Sequence, residues 1–153
     1  MEKITQLKIG YLSSLSKLNL SIDSYLQDDK QPKKILFLDD EKLTLKYFKK
    51  YFEYKIPGAE IFFSDSAVNA KRVMFDHNID LLITDLKMPV FNGKEIIKTA
   101  KNLNPSIKVI VVTAYRDEAE CVSEECFLKP IDNLGLLYQS VLRNLSLSPV
   151  STI

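Results

Sequence analysis

The sequence predicts an α/β fold: a doubly wound sheet of five parallel strands with helices on both faces. Two observations carry that expectation. From residue 33 onward, short apolar bursts alternate with amphipathic stretches, the pattern of buried strands and the helices that cover them. Five such strand and helix units follow in order with Pro, Gly and Asn at the joins, which makes the sheet doubly wound and flavodoxin-like.

"KKILFLDD" is the first burst, a buried strand from Ile35 to Leu38 that ends in Asp39 and Asp40. "EKLTLKYFKKYFEY" follows as a helix with Leu45, Phe48 and Phe52 on one face, and "KIPG" stops it. "AEIFFSD" is the second strand and "SAVNAKRVMFDH" the second helix, capped by Ser66 or Asp65. "IDLLITD" is the third strand. Asn92 and Gly93 close the loop before "GKEIIKTAKNLN", whose Ile96, Ile97 and Ala100 face the sheet. "IKVIVVTA" is the fourth and most β-branched strand. "ECFLKP" is a brief fifth strand, and "IDNLGLLYQSVLRNL" is the last helix.

The chain divides into an extension over residues 1–32, the α/β domain over 33–147 and a short tail over 148–153. In the extension Ile4, Leu7, Tyr11, Leu15, Leu18, Ile22 and Tyr25 recur at three and four residues with one break of phase, an amphipathic helix. It reads either as a helix that packs on its own domain or frays, or as a docking helix or one that makes a homodimer. "QDDKQPKK" is a polar linker punctuated by Pro32.

At 153 residues and 46% hydrophobic, the chain holds one domain with a sizeable core. Twenty-one basic against twenty acidic residues leave a formal charge of +1, which gives no support to direct nucleic-acid or anionic-membrane binding. Cys121 and Cys126 lack zinc-site spacing, are too few for a disulfide framework, and read as reduced thiols. The start "MEKITQLKIG" has no apolar core of the signal-peptide kind, and no run of apolar residues is long enough to span a bilayer. The expected location is cytoplasmic.

In sheets of this type ligands gather at the carboxyl ends of the strands. There the first strand contributes Asp39 and Asp40, the third Asp85, the fourth Thr113 and the fifth Lys129. Singly these are a helix cap, a β-branched filler and a solvated charge. Together they describe a chemistry. Three carboxylates at close range repel one another unless a cation holds them ionised. An oxygen-only donor set with room for water fits Mg²⁺, with Mn²⁺ as the alternative. Lys129 is then placed to neutralise a phosphoryl oxygen and Thr113 to donate a hydrogen bond to another. That leaves Asp85 to attack phosphorus, giving an acyl phosphate.

On these residues the chain resembles the receiver domain of two-component response regulators. "DDE" follows the first strand, "DLKMP" the third, Gly93 stands eight residues beyond Asp85, "TA" follows the fourth strand and "KP" the fifth. The resemblance covers roughly residues 33 to 147. It implies that Asp85 takes a phosphoryl group from a phosphohistidine on a sensor histidine kinase or phosphotransfer protein. It further implies that Asp39, Asp40, Asp85 and the backbone carbonyl of Lys87 hold Mg²⁺, and that Thr113 swings toward the phosphoryl group while Lys129 binds it. The Lys129–Pro130 peptide is expected to be cis.

The sequence departs from the family at the switch. The family commonly has an aromatic residue three positions before the lysine, where this chain has Cys126, and strand alternation puts Phe127 on the opposite face. Tyr115, two residues after Thr113, is the alternative aromatic. The sixteen residues from Thr113 to Lys129 are about a turn and a half of helix short of the family's spacing, so the fourth helix is expected to be stunted. Lys87 and Tyr115 occupy positions beside the phosphoryl group that the family varies, and a long cation and a bulky ring there are expected to slow hydrolysis.

After the last helix only "SLSPVSTI" remains, which leads to a single-domain switch that signals by binding an effector protein. A phosphorylation-independent interaction module is one alternative. A phosphohydrolase of the haloacid-dehalogenase type is another, but it needs a second Asp two residues after the nucleophile, where this chain has Lys87. His77, the only histidine, reads as a surface residue rather than a phosphodonor.

Overall fold

The computed structural model describes residues 31–117 and 124–149. The helix expected in the extension, the body of the fourth helix that is expected to be stunted, Cys121 and the end of the tail lie outside the described residues.

Among the described residues nine elements follow in order: β1 Lys34–Leu38, α1 Lys42–Phe52, β2 Glu60–Ser64, α2 Ala67–Asp76, β3 Leu81–Thr84, α3 Gly93–Leu103, β4 Lys108–Thr113, β5 Glu125–Leu128 and α4 Leu134–Leu145. The strands form one parallel sheet in the order β2-β1-β3-β4-β5, the doubly wound arrangement that the sequence predicts.

Alternation along each strand divides the core in two. Leu36, Leu38, Leu82, Val109 and Val111 point to one face, against Ala70 and Met74 of α2 and Ile96 and Ala100 of α3. Ile35, Phe37, Leu81, Ile83, Ile110 and Val112 point to the other, against Leu45, Phe48 and Phe52 of α1 and Leu137, Val141 and Leu145 of α4. The second face is aromatic. The Phe37 ring lies 5.3 Å from Phe48, 5.1 Å from Phe52 and 5.2 Å from Phe63, within the favourable range for ring pairs.

Helices α2, α3 and α4 start where short polar side chains cap them, whereas Glu41 before α1 makes no side-chain cap. The Ser66 hydroxyl accepts from Asn69 N–H at 3.2 Å, and the Asn92 side chain from Lys94 N–H at 2.9 Å. Helix α1 stops at Phe52, short of "KIPG", and the chain leaves it through a turn in which Lys55 N–H donates to the Phe52 carbonyl. Pro57 disfavours helical backbone at Ile56, and Gly58 takes φ +82°, a conformation that suits glycine. No helix among the described residues is long and apolar enough to cross a membrane.

Candidate functional site

The parallel register sets the rim. Leu38 pairs with both Ser64 and Thr84, and Thr113 pairs with Leu128. The ladder then runs one bond past each strand: Asp39 N–H donates to the Ser64 carbonyl at 3.1 Å, Asp85 N–H to the Leu38 carbonyl at 3.1 Å, and Lys129 N–H to the Thr113 carbonyl at 2.9 Å. Asp39, Asp85 and Lys129 are therefore fixed as residues immediately following paired strands, with backbone still held by the sheet.

Their side chains meet. Lys129 Nζ lies 2.5 Å from Asp39 Oδ2 and 2.9 Å from Asp85 Oδ2. Asp39 and Asp85 are buried at 2% and 6% exposure, while Asp40 is exposed. One carboxylate oxygen from each of Asp39, Asp40 and Asp85 lies within 4.8 Å of the others. The free oxygen of each buried carboxylate is also engaged: Asp39 Oδ1 accepts from Glu41 N–H at 2.9 Å, and Asp85 Oδ1 from Lys87 N–H at 3.1 Å.

Burial pushes the Asp39 carboxyl above its ordinary value, with the Asp85 charge adding to the push and the Lys129 and Glu41 hydrogen bonds opposing it. Burial acts to lower the Lys129 ammonium, but its hydrogen bonds and charge contacts with Asp39 and Asp85 outweigh that and hold it above the usual lysine value. The lysine is the charged counterpart of the two buried carboxylates.

The loop after β3 is clamped close to this cluster. Lys87 and Asn92 form an antiparallel bridge across it, and Gly93 N–H donates to the Leu86 carbonyl at 2.8 Å. A Cβ on Gly93 would stand 2.3 Å from the Asp85 carbonyl oxygen and 2.6 Å from Leu86 Cα. Only glycine lets the start of α3 come so near the strand end that carries Asp85.

Thr113 is fully buried at the end of β4, and its hydroxyl accepts from Tyr115 N–H at 3.3 Å. The Lys129–Pro130 peptide is cis. Cys126 packs with the aliphatic core and Phe127 with the aromatic one, on opposite faces. Burial, aided by the Glu124 charge, raises the Cys126 thiol above its ordinary value. His77 caps the carboxyl end of α2, its ring 4.6 Å from that of Phe62.

Two features of the site were not read from the sequence. Lys87 Nζ lies 4.1 Å from the centroid of the Tyr115 ring, joining the loop after β3 to the segment after β4. A cavity of about 320 Å³ is bounded by the same β3–α3 loop, Leu86 to Asn92. The proximity of 87 and 115 to the rim was legible; the contact between their side chains was not.

Comparison with known proteins agrees with this geometry. The family profile of the response regulator receiver domain matches residues 35–132. A cyclic di-GMP phosphodiesterase of Thermotoga maritima is 31% identical over 108 residues, 67% of this chain and 28% of that protein. Sporulation initiation phosphotransferase F of Bacillus subtilis is 29% identical over 105 residues, 65% of this chain and 83% of that protein. The crystal structure of the response regulator TrrA from Thermotoga maritima, in complex with Mg(2+)-BeF, superposes with a TM-score of 0.65 at 28% identity, covering 73% of this chain and 98% of that one. The chain spans about a third of the length of several curated relatives. A profile match over most of the chain, on a five-stranded parallel sheet in the order β2-β1-β3-β4-β5, places this protein in the response regulator receiver domain family of two-component systems.

Proposed function

We propose that Asp85 is the phosphoacceptor, taking a phosphoryl group from a phosphohistidine on a sensor kinase or phosphotransfer protein. The observation that carries this reading is the buried triangle of Asp39, Asp85 and Lys129 at the carboxyl rim. In the transfer an Asp85 carboxylate oxygen bonds to phosphorus as the phosphorus–nitrogen bond breaks, and the departing imidazole takes up a proton. Lys129 neutralises a phosphoryl oxygen, and the Thr113 hydroxyl turns from Tyr115 N–H to donate to another.

Three carboxylates with oxygen atoms this close, one of them exposed, fit a hard divalent ion. Asp39, Asp40, Asp85 and the Lys87 backbone carbonyl are the ligands we assign to Mg²⁺. Bound there, the ion neutralises charge on the transferring group. Receiver domains are generally phosphoacceptors rather than enzymes, and the similarity to a phosphodiesterase concerns 28% of that protein. A hydrolase of the haloacid-dehalogenase type would need a carboxylate where this chain has Lys87, whose head group rests on a tyrosine ring. The receiver, residues 33–147, then passes its signal by contact with an effector protein.

Incubation with acetyl phosphate and Mg²⁺, followed by intact mass, tests the reading: one phosphoryl group adds to the wild type and none to Asp85→Asn. Equal uptake by both would refute it. Lys87, drawn to the phosphoryl group, shields the acyl phosphate from water, so Lys87→Ala shortens its half-life several-fold. An unchanged half-life in Lys87→Ala removes the shielding role.

A further inference from the structure

Lys87 and Tyr115 leave the rim on different segments and meet above it. Their contact, 4.1 Å from ammonium nitrogen to ring centroid, lies within the range of cation–π attraction. Each is also tied by its backbone to a reacting residue. Lys87 N–H donates to Asp85 Oδ1, and Tyr115 N–H donates to Thr113 Oγ1. The two ends of the contact thus stand one hydrogen bond from the proposed phosphoacceptor and one hydrogen bond from the threonine beside it.

Resting on the phosphoacceptor reading, we propose that this pair is a charge-operated latch. In the unphosphorylated protein Lys87 holds the Tyr115 ring, and a phosphoryl group on Asp85 draws the ammonium to itself and frees the ring. The direction follows from the competing partners. A tyrosine face at a half-exposed position, here 47% exposed, attracts a lysine weakly. A phosphoryl group offers full negative charge and several strong acceptor oxygens. The lysine has a flexible four-carbon stem rooted beside Asp85, so it exchanges one partner for the other without moving its backbone. The phosphoryl group therefore interacts differently with the two states, which any switch requires.

The latch also accounts for the small residue on β5. Cys126 packs among Leu and Ile side chains of the core and offers no ring to report on the site. Tyr115 is the exposed aromatic tied to Thr113, and a freed tyrosine is an amphipathic anchor that a protein partner can bury.

Proton NMR of the full chain tests the latch. Lys87 side-chain methylene signals, assigned by their loss in Lys87→Met, are shifted by the ring in the unphosphorylated protein and return to ordinary positions in Tyr115→Leu. Acetyl phosphate with Mg²⁺, uptake being verified by intact mass, moves the wild-type signals to those same ordinary positions. In Lys87→Met, the Tyr115 ring signals already stand, before any phosphodonor is added, where phosphorylation puts them in the wild type. Uptake of the phosphoryl group with the Lys87 signals unmoved overturns the latch and leaves the phosphoacceptor standing. Lys87 signals that are unshifted at the start overturn the latch as well. No uptake overturns both.

Discussion

Each end of the sheet carries a lysine beside an aspartate, but the two ends differ in how far the pair has been taken out of water. At the amino end Lys33 Nζ lies 3.5 Å from Asp80 Oδ1, with the side chains 43% and 30% exposed. At the carboxyl end Lys129 contacts Asp39 and Asp85 with side-chain exposures of 15%, 2% and 8%. The amino-end aspartate braces backbone: Asp80 Oδ2 accepts from Lys34 N–H at 2.8 Å, and its own N–H and carbonyl bond to Lys34 and Lys108. The carboxyl-end aspartates converge on one ammonium instead. The same side-chain types thus fasten strands at one end and concentrate charge at the other, and burial decides which.

Lys129→Met should show the largest effect. Removing one partner of a buried pair costs about 3 to 5 kcal/mol because the remaining charges stay desolvated. The partial exposure of Lys129 puts the expected loss, in metal-free protein, near about 3 kcal/mol. The loss depends on pH in a definite direction. Burial already pushes Asp39 up, and the variant removes the Lys129 contacts that oppose it. A carboxyl raised in the folded state contributes stability below its unfolded value of about 3.9 and loses that contribution as pH rises through its folded value. The deficit of the variant therefore narrows as pH falls from neutral toward the raised folded value of Asp39, where the carboxyl takes up a proton in the folded protein. Urea denaturation at neutral and at acidic pH checks this. A deficit of equal size at both would mean that desolvated charge is not what sets the carboxyl end apart.

Asp80→Ala probes the brace. It deletes the carboxylate acceptor for Lys34 N–H, a partly buried bond, and should cost about 2 kcal/mol, within the range for a hydrogen bond to a charged group. Because the short backbone bond outweighs the long, exposed pair with Lys33, raising the salt concentration should leave most of the loss in place. A loss that vanishes in high salt would make the two ends alike in kind.

These two ends were unequally legible in the sequence. Asp39, Asp85, Thr113 and Lys129 could be placed because each follows an apolar run, and parallel strands deliver such residues to one rim by topology alone. The core faces of α1 and α3 were legible for a similar reason, since Leu45, Phe48 and Phe52, and Ile96, Ile97 and Ala100, repeat at the helical period. Asp80 was read only as part of a strand, because its acceptor role depends on which strand lies alongside. The Lys87 and Tyr115 contact depends on rotamers of two long side chains from separate segments, about which spacing along the chain says nothing. Pro57 and Gly58 mark the break after α1 but not its last residue, Phe52, where a turn closed by Lys55 N–H ends the helix.

Lys33→Met should show the smallest effect. The pair with Asp80 is long and well exposed, so its Coulomb attraction is screened and offset by the entropy of holding a flexible side chain. Methionine keeps most of the apolar stem while removing the charge. Asp80 keeps its bond to Lys34 N–H, which involves the backbone and not the Lys33 ammonium. Stability should then change by less than about 0.5 kcal/mol, read as the shift in urea midpoint at constant slope. A loss near that of Lys129→Met would show that exposure is not what separates the two pairs. A negligible loss would fix the amino-end lysine as a solvated neighbour of a backbone brace, with the energetic weight of charge confined to the rim where Asp85 stands.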